Sequence, residues 1–573
     1  MMKNKLPVRE SFLQEFLAKH YNQESIESSI GRLIGWAWTP GVGKDVDPEV
    51  ARLAAKVMGW FLCSTFNRLR DTSTKAMVNL LQYQTDALLM VMKDFRNVDD
   101  PYISERIYAV AYGCILRTPN VKDKQKIGRF IYNEIFKNAT PPRHFLWRDY
   151  ACCSVEYAVK EAGLKNVDMS IVLPPYNEPM PVFPDKAYVD SMKLDYNDKT
   201  IGHVQPHNKI IYSVVDGLAD FGTKIVTPYV NHFHACSFKQ EVEYQTYRKG
   251  LEKKDRELLD LYATAVGHIK SYKEMILRQK GDIKELQKAI DNHQLLFEKI
   301  NPWLIQRHGQ EMFDRLKDVL LPNHALYGKS RYEYGQDTWS IRNWIVKRVF
   351  ELGYDKDLHG HYDEYVGYME SAYFRTATED PGRIERIGKK YEWIALWEIL
   401  ACLADNYFIE DPWDSHKLGI YEGAWQSYWR NCDPACITQR SEDKTEPHWT
   451  EYNPFPFWEI EDTRWFNTFP ELHALRQMLI RTDKSGNEWY TVNDYRMVRE
   501  PARIGADRWG ASNRYYNIDI RACLIRKRDK RNLISNTEGM NFWGMESLRP
   551  EKCGDYFIAR EKYWSNGYKA CKR

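Results

Sequence analysis

Several short runs in this chain carry residues able to do chemistry, and each can be weighed on its spacing. Gly41-Val42-Gly43-Lys44 looks like the tail of a phosphate loop, where backbone amides cradle phosphate and a hydroxyl after the lysine holds Mg²⁺. That motif needs a glycine where Trp38 stands and a serine or threonine where Asp45 stands. A carboxylate there repels phosphate, so a turn before a helix is the better reading. Asp220-Phe221-Gly222 imitates the magnesium motif of kinases, but the chain has no glycine-rich loop or catalytic loop in the required order. His232, His234 and Cys236, His359 with His361, and Cys432 with Cys436 are metal-capable. Structural zinc wants two close ligand pairs, and Cys432/Cys436 has no second pair nearby. These side chains are expected to be ordinary buried or surface residues, with no metal and no cofactor. There is no G-x-S-x-G elbow and no convincing D…E-x-K arrangement after a strand signal. The expectation is a protein that is not an enzyme.

Four charged pairs remain: Arg70-Asp71, Glu105-Arg106, Arg148-Asp149 and Glu385-Arg386, each near a helix start in an otherwise apolar pattern. The structural reading gives Asp71 and Asp149 to positive helix ends and the arginines to carbonyls of a neighbouring repeat. Ligand contact is the alternative.

Composition bounds the classes. The chain has 573 residues, 43% hydrophobic and 28% charged, with a net charge of +3. It can form large cores and has no global field to draw in nucleic acid or anionic membrane. The best apolar stretch, Ala51 to Phe66, contains Arg52 and Lys56 and falls short of the ~20 apolar residues a membrane span needs. The N-terminus reads as no signal peptide. Eleven scattered cysteines are then expected as reduced thiols in a cytoplasmic protein. The 19 Trp, concentrated after residue 390, and the 37 Tyr spread along the chain suit a thick core or a broad contact surface.

The elements that must position these residues are mainly helical. Ile103, Ile107, Val110 and Cys114 share one face, as do Ile127, Ile131 and Ile135, and Leu146, Tyr150, Cys153 and Tyr157. Met77, Leu81, Leu88, Val91 and Phe95 form another stripe, and Asp100 before Pro101 reads as a cap. The predicted fold is mainly α: HEAT-like stacked helical hairpins over 1–165, then a proline-rich connector with short elements over 166–240. A coiled-coil-like insertion, a long charged helix or hairpin, follows over 241–300. A column at Tyr262, Ile269, Ile276, Ile283, Ile290 and Phe297 keeps a seven-residue period, with Gly267, Gln279, Gly281 and His293 weakening the seam. Helices resume over 301–412, and 413–573 reads as a smaller aromatic-rich α+β region, with strands at Trp489–Val492 and Tyr516–Ile525.

The stretch Gly382 to Phe408 stands apart. Arg383, Arg386, Lys389 and Lys390 lead into an apolar face of Ile394, Trp397, Leu400 and Ala404, which leaves Glu392 and Glu398 for solvent. With Tyr391 and Trp393 this run closely resembles a signature in the C-terminal sensor part of antiviral STAND NTPases, the bacterial AVAST defence proteins. Collinear stretches resemble the same family: Cys63–Leu81, Val98–Gly113, His144–Ala158, Asp220–Gly222, Arg342–Gly360 and Tyr421–Pro434. Relatives look like three-part machines with an effector, a P-loop ATPase and a helical-repeat sensor that binds a phage protein, the large terminase or the portal. The resemblance here covers the sensor alone, without ATPase or effector. It implies a non-catalytic anti-phage scaffold partnered by a phage structural or packaging protein, and by a STAND ATPase or effector if one is encoded separately. The rival readings are a stand-alone metal-dependent nuclease, a nucleic-acid-binding solenoid, and a non-functional remnant of a larger defence protein.

Overall fold

The computed structural model describes residues 4–20, 28–138, 140–194, 205–215, 220–277, 282–320, 337–373, 384–410, 418–427 and 430–437, with short stretches between 464 and 537 and residues 558–565. Gln279, Gly281 and Arg383, and most of the aromatic-rich segment after residue 437, lie outside the described residues.

Helices of eight residues or more are numbered here in chain order: α1 Leu6–His20, α2 Ser29–Trp38, α3 Pro48–Phe61, α4 Asn67–Leu81, α5 Thr85–Phe95, α6 Pro101–Arg117, α7 Val121–Ile131 and α8 Phe145–Ala162. There follow α9 Pro206–Val215, α10 Phe238–Lys249, α11 Lys253–Leu277, α12 Ile283–His308, α13 Thr338–Glu351, α14 Lys356–Tyr373, α15 Ile387–Asn406 and α16 Lys530–Thr537. The fold is mainly helical. Starts are set locally: Asp47 accepts the Glu49 and Val50 amides ahead of α3, and Asp100 accepts the Tyr102 amide at 3.0 Å ahead of α6. In both cases proline takes the first helical position, where an amide hydrogen is dispensable. The expected stripes are buried. Met77 and Leu81 on α4 and Leu88, Val91 and Phe95 on α5 line one core, although the chain turns between them at Gln82–Gln84.

Helix α6 packs on α4 and on α8, α7 lies against α8, and α3 contacts both α4 and α5. The later helices close over this array, α1 on α14, α9 on α13, and α15 against α8, α13 and α14. Within α15 every residue is buried except Lys389, Trp393 and Asn406. The expectation that Glu392 and Glu398 face solvent is therefore wrong. Both lie on a helix wrapped from all sides, and each is matched from a neighbour: Arg348 grips Glu398 with two bonds of 2.6 and 3.0 Å, and Ser213 donates to Glu392 at 3.1 Å. Burial pushes the Glu392 carboxyl up to about 7.

The seven-residue column proves to be a hairpin and not one rod. Helices α11 and α12 lie side by side, Tyr262 meeting Phe297 at 4.6 Å between ring centres and Tyr272 meeting His293 at 6.1 Å, an antiparallel register. Ile290 is buried, but Ile283 is half exposed. Helix α12 also continues through Pro302 to His308, across the boundary expected at residue 300. Between α8 and α9, the described residues of the proline-rich stretch hold two short helices, Met169–Val172 and Lys186–Ser191.

Seven strands complete the described residues. β1 Phe233–Ser237, β2 Tyr407–Glu410 and β3 Leu418–Gly419 form an antiparallel sheet in that order, with Phe233 opposite Ile409 and Ile409 opposite Gly419. The chain divides into two units, Met1–Ile437 with Pro550–Arg573, and Thr438–Arg549. Described residues of the second unit form two antiparallel pairs, β4 Ile480–Thr482 with β5 Glu488–Tyr490 and β6 Asn493–Arg499 with β7 Tyr515–Arg521, plus α16. Tyr516 through Arg521 is a strand as expected.

Candidate functional site

Charged signature residues gather in two places beside the first turns of α15, one closed and one open. In the closed place Lys390 is fully buried. An ammonium has three N–H groups to give. Lys390 Nζ donates to Glu10 Oε1 at 3.0 Å, Asp100 Oδ2 at 2.9 Å and the Cys63 carbonyl at 2.9 Å. Glu10 comes from α1, Cys63 from the turn after α3, and Asp100 is the same residue that caps α6. Gln14 completes the set, donating to Glu10 at 2.7 Å and to the Cys63 carbonyl at 2.8 Å while accepting the Thr65 amide. Burial raises the Glu10 carboxyl to about 7 against the pull of Lys390.

Among the described residues, Glu10, Cys63 and Asp100 are the group whose ligand atoms converge closely enough for a metal ion. They do not fit one. The Lys390 ammonium already stands between the two carboxylates, and burial pushes the Cys63 thiol well above its ordinary range, so no thiolate is offered.

The open place is a cavity of about 290 Å³ lined by Asn67, Arg70, Asp71, Tyr102, Glu105, Arg106, Tyr229, Trp393, Trp397 and Asn431. Five residues singled out from the sequence (Arg70, Asp71, Glu105, Arg106 and Trp393) meet here. Arg106 on α6 pairs with Asp71 on α4 at 2.6 Å and with Glu105 at 3.2 Å. Arg70 donates to the Ser64 carbonyl at 2.5 Å and to Asn67 Oδ1, and lies over the Tyr102 ring at 4.4 Å. Lys390 Nζ sits 5.0 Å from the centre of that same ring, so Tyr102 separates the closed place from the open one. Burial raises the Glu105 carboxyl against the pull of Arg106 and Arg70, and burial lowers the neighbouring His144 to about 3, so the imidazole beside it is neutral. The aromatic wall is ordered. Trp393 and Trp397 stack at 5.5 Å with planes 20° apart, and Tyr229 presents its edge to both.

The remaining signature residues are structural ties. Arg148 donates to Asp405 Oδ2 at 2.9 Å, to the Ala401 carbonyl of α15 and to the Pro142 carbonyl, so an arginine does reach carbonyls of a neighbouring element. Asp149 accepts from Arg430 at 3.1 Å and from the Ala424 amide. Asp71 and Asp149 were expected to serve helix ends. Each is the fifth residue of its helix, beyond the turn where the dipole acts, and each pairs with a guanidinium instead. Arg386 lies 3.8 Å from Glu392, Glu385 pairs with Lys389 at 3.4 Å, and Tyr391 is buried between Tyr354 and His359.

Two of the metal-capable imidazoles are engaged otherwise. His234 Nδ1 accepts the Cys236 amide. His359 accepts the Asp355 amide at Nδ1 and meets the Pro7 carbonyl at Nε2, which fixes the proton on Nε2. Sequence reasoning missed Glu10, Cys63, Arg430, Tyr229 and Asn431, and took Asp100 for a cap alone. No local signal marks them, because Glu10 and Lys390 stand 380 positions apart. No family model matches the chain, and neither a curated protein nor a solved structure matches it.

Proposed function

We propose that the chain is a non-catalytic, cytoplasmic recognition scaffold, resembling the target-recognition half of an antiviral STAND NTPase, that grips a phage structural or packaging protein such as the large terminase or the portal. Its early helices are read as HEAT-like stacked hairpins, and the aromatic-rich segment after residue 413 as an α+β region. A separately encoded STAND ATPase or effector is the natural second partner, and neither membrane nor nucleic acid is required.

One observation carries this reading. The charged residues of the signature stretches tie distant helices together in dry pairs, such as Lys390 to Glu10 and Asp100, and Arg148 to Asp405. A frame fixed this way holds a large surface in one shape, which recognition by shape demands. Reduced thiols fit a cytoplasmic setting, and no disulfide joins the cysteines among the described residues. No helix among the described residues is long and apolar enough to cross a membrane.

The test is affinity capture of the tagged chain from phage-infected cells, followed by a binding assay between the purified chain and each captured phage protein. Terminase or portal is expected in the eluate, with direct binding in the assay. Failure to retain any phage protein sinks the proposal. So does metal-dependent DNA degradation by the purified chain, or binding to random DNA that collapses steeply with salt.

A further inference from the structure

We propose that the cavity between α4, α6 and α15 binds a small organic acid built on a planar aromatic ring, the ring against the tryptophan–tyrosine wall and the carboxylate on Arg70. The proposal is independent of phage-protein recognition, since it concerns a free small molecule and a site within one unit of the fold.

Charge places the acid. Arg106 has carboxylate partners at 2.6 and 3.2 Å. Arg70, buried to 6% exposure, has neutral ones only: the Ser64 carbonyl, Asn67 Oδ1 and the Tyr102 ring. Among the described residues no carboxylate lies within ion-pair distance of it. A guanidinium carries five N–H donors, and a buried charge without a counterion is costly. An entering carboxylate supplies the missing partner. Glu105 Oε1, buried and without a hydrogen-bond partner among the described residues, stands 3.2 Å from Arg106 on the same lining. Asp71 and Glu105 both pair with Arg106; Glu105 also attracts Arg70, but from beyond ion-pair distance, so Arg70 is the cation with a place for an incoming anion.

Shape and chemistry place the ring. Tyr102, Tyr229, Trp393 and Trp397 supply four aromatic groups to a lining of ten residues. Aromatic faces and edges favour a planar partner in offset or edge-on contact. A volume of about 290 Å³ stands at the small end of ligand sites. It suits one or two fused rings with a short acidic arm and is too small for a nucleoside triphosphate. The Asn67 amide nitrogen on the lining can orient a polar ring substituent, while its oxygen serves Arg70 and Asn431 is bonded to Glu105.

The experiment uses the full chain and isothermal titration with indole-3-carboxylate and phenylacetate as probes. Tryptamine, which carries the ring with a cation, and acetate, which carries the anion without a ring, are the controls. Both ring acids are expected to bind saturably at millimolar concentration or tighter, and the controls not to bind. Arg70→Gln should weaken the ring acids by about tenfold or more, the loss expected for a hydrogen bond to a charged group. Asp71→Asn should tighten them about threefold by removing a like charge, a gain that misfolding cannot imitate. Circular dichroism melts check that Arg70→Gln folds. The proposal is overturned if neither ring acid binds, if tryptamine binds as tightly as they do, or if folded Arg70→Gln binds them unchanged.

Discussion

On one side of the Tyr102 ring, Lys390 meets Glu10, Asp100 and the Cys63 carbonyl in a space its ammonium fills. On the other, Arg70 and Arg106 face Asp71 and Glu105 with about 290 Å³ left between them. Both places are assembled from cations and carboxylates, the closed one from α1, α15 and the cap of α6 and the open one from α4 and α6, and both touch Tyr102. They differ in donor arithmetic. Three N–H groups find three oxygens and the site shuts. In the open place Arg70 and Arg106 keep partners, but the Glu105 Oε1 acceptor has no hydrogen bond among the described residues, and space remains. Similar ingredients thus yield a rivet in one place and a receptacle in the other.

The largest expected effect strikes the rivet. Lys390→Met leaves Glu10, Asp100 and a carbonyl buried without their cation, and breaking a buried pair by removing one partner costs about 3–5 kcal/mol. Chemical denaturation should show that loss in the first unit. The triple variant Lys390→Met with Glu10→Gln and Asp100→Asn should recover most of it, because the stranded charges go with the lysine. A loss under ~1 kcal/mol in the single variant would mean that the closed place contributes little and that the contrast is illusory.

The matching cut on the open side should hurt less. Arg106→Gln also removes a buried guanidinium, but Asp71 is 39% exposed and can turn to water. The expected cost is about 1–3 kcal/mol, read from the same denaturation curves. A cost equal to that of Lys390→Met would show that the cavity is as closed in solution as the lysine site.

How far the two places can be read in the sequence follows from chain distance. The Asp100–Pro101 cap is local and legible, and so are the helical stripes of the first third. Arg70, Asp71, Glu105 and Arg106 stand out because charged pairs interrupt apolar patterns, yet their roles are not legible. Arg106 and Asp71 are 35 positions apart, Arg148 and Asp405 are 257, and Lys390 and Glu10 are 380. Glu392 and Glu398 mislead for the same reason. Amphipathic reading assumes that a helix has a broad wet side, and on α15 exposure is confined to Lys389, Trp393 and Asn406. The heptad column leaves open whether one long helix or a hairpin forms, since seven-residue spacing survives a reversal of direction.

A pH series sharpens the contrast further. Glu10 is raised to about 7 by burial, so its contribution to stability is complete below the unfolded value near 4.5 and is lost as pH rises through 7. The buried His144, lowered to about 3, acts in the opposite sense: its contribution is present above about 6.5 and is lost as pH falls. Wild-type melts alone mix the two. The difference between wild type and Glu10→Gln isolates the carboxyl, and wild type should lose ground steadily from pH 5 to pH 7.5. Asp100, Lys390, Cys63 and Arg9 face the same group and are unchanged in both proteins. A flat difference curve would place Glu10 in contact with water and undo the claim that the lysine site is dry.

The smallest effect comes from the residue next door. Lys389 and Lys390 are consecutive basic members of one signature, and by sequence they are interchangeable. Their positions on α15 point them a hundred degrees apart on the helix: Lys390 into the interior, with no exposed side chain, and Lys389 outward, 29% exposed, toward Glu385 at 3.4 Å and one turn away. A partly exposed pair of this kind is worth ~1 kcal/mol or less, and salt weakens it further. Lys389→Ala should therefore shift the melting temperature barely, and not at all at high salt, while Lys390→Met is severe. If Lys389→Ala matched Lys390→Met, the basic run would be acting as a cluster, and the geometric distinction between its two lysines would fail.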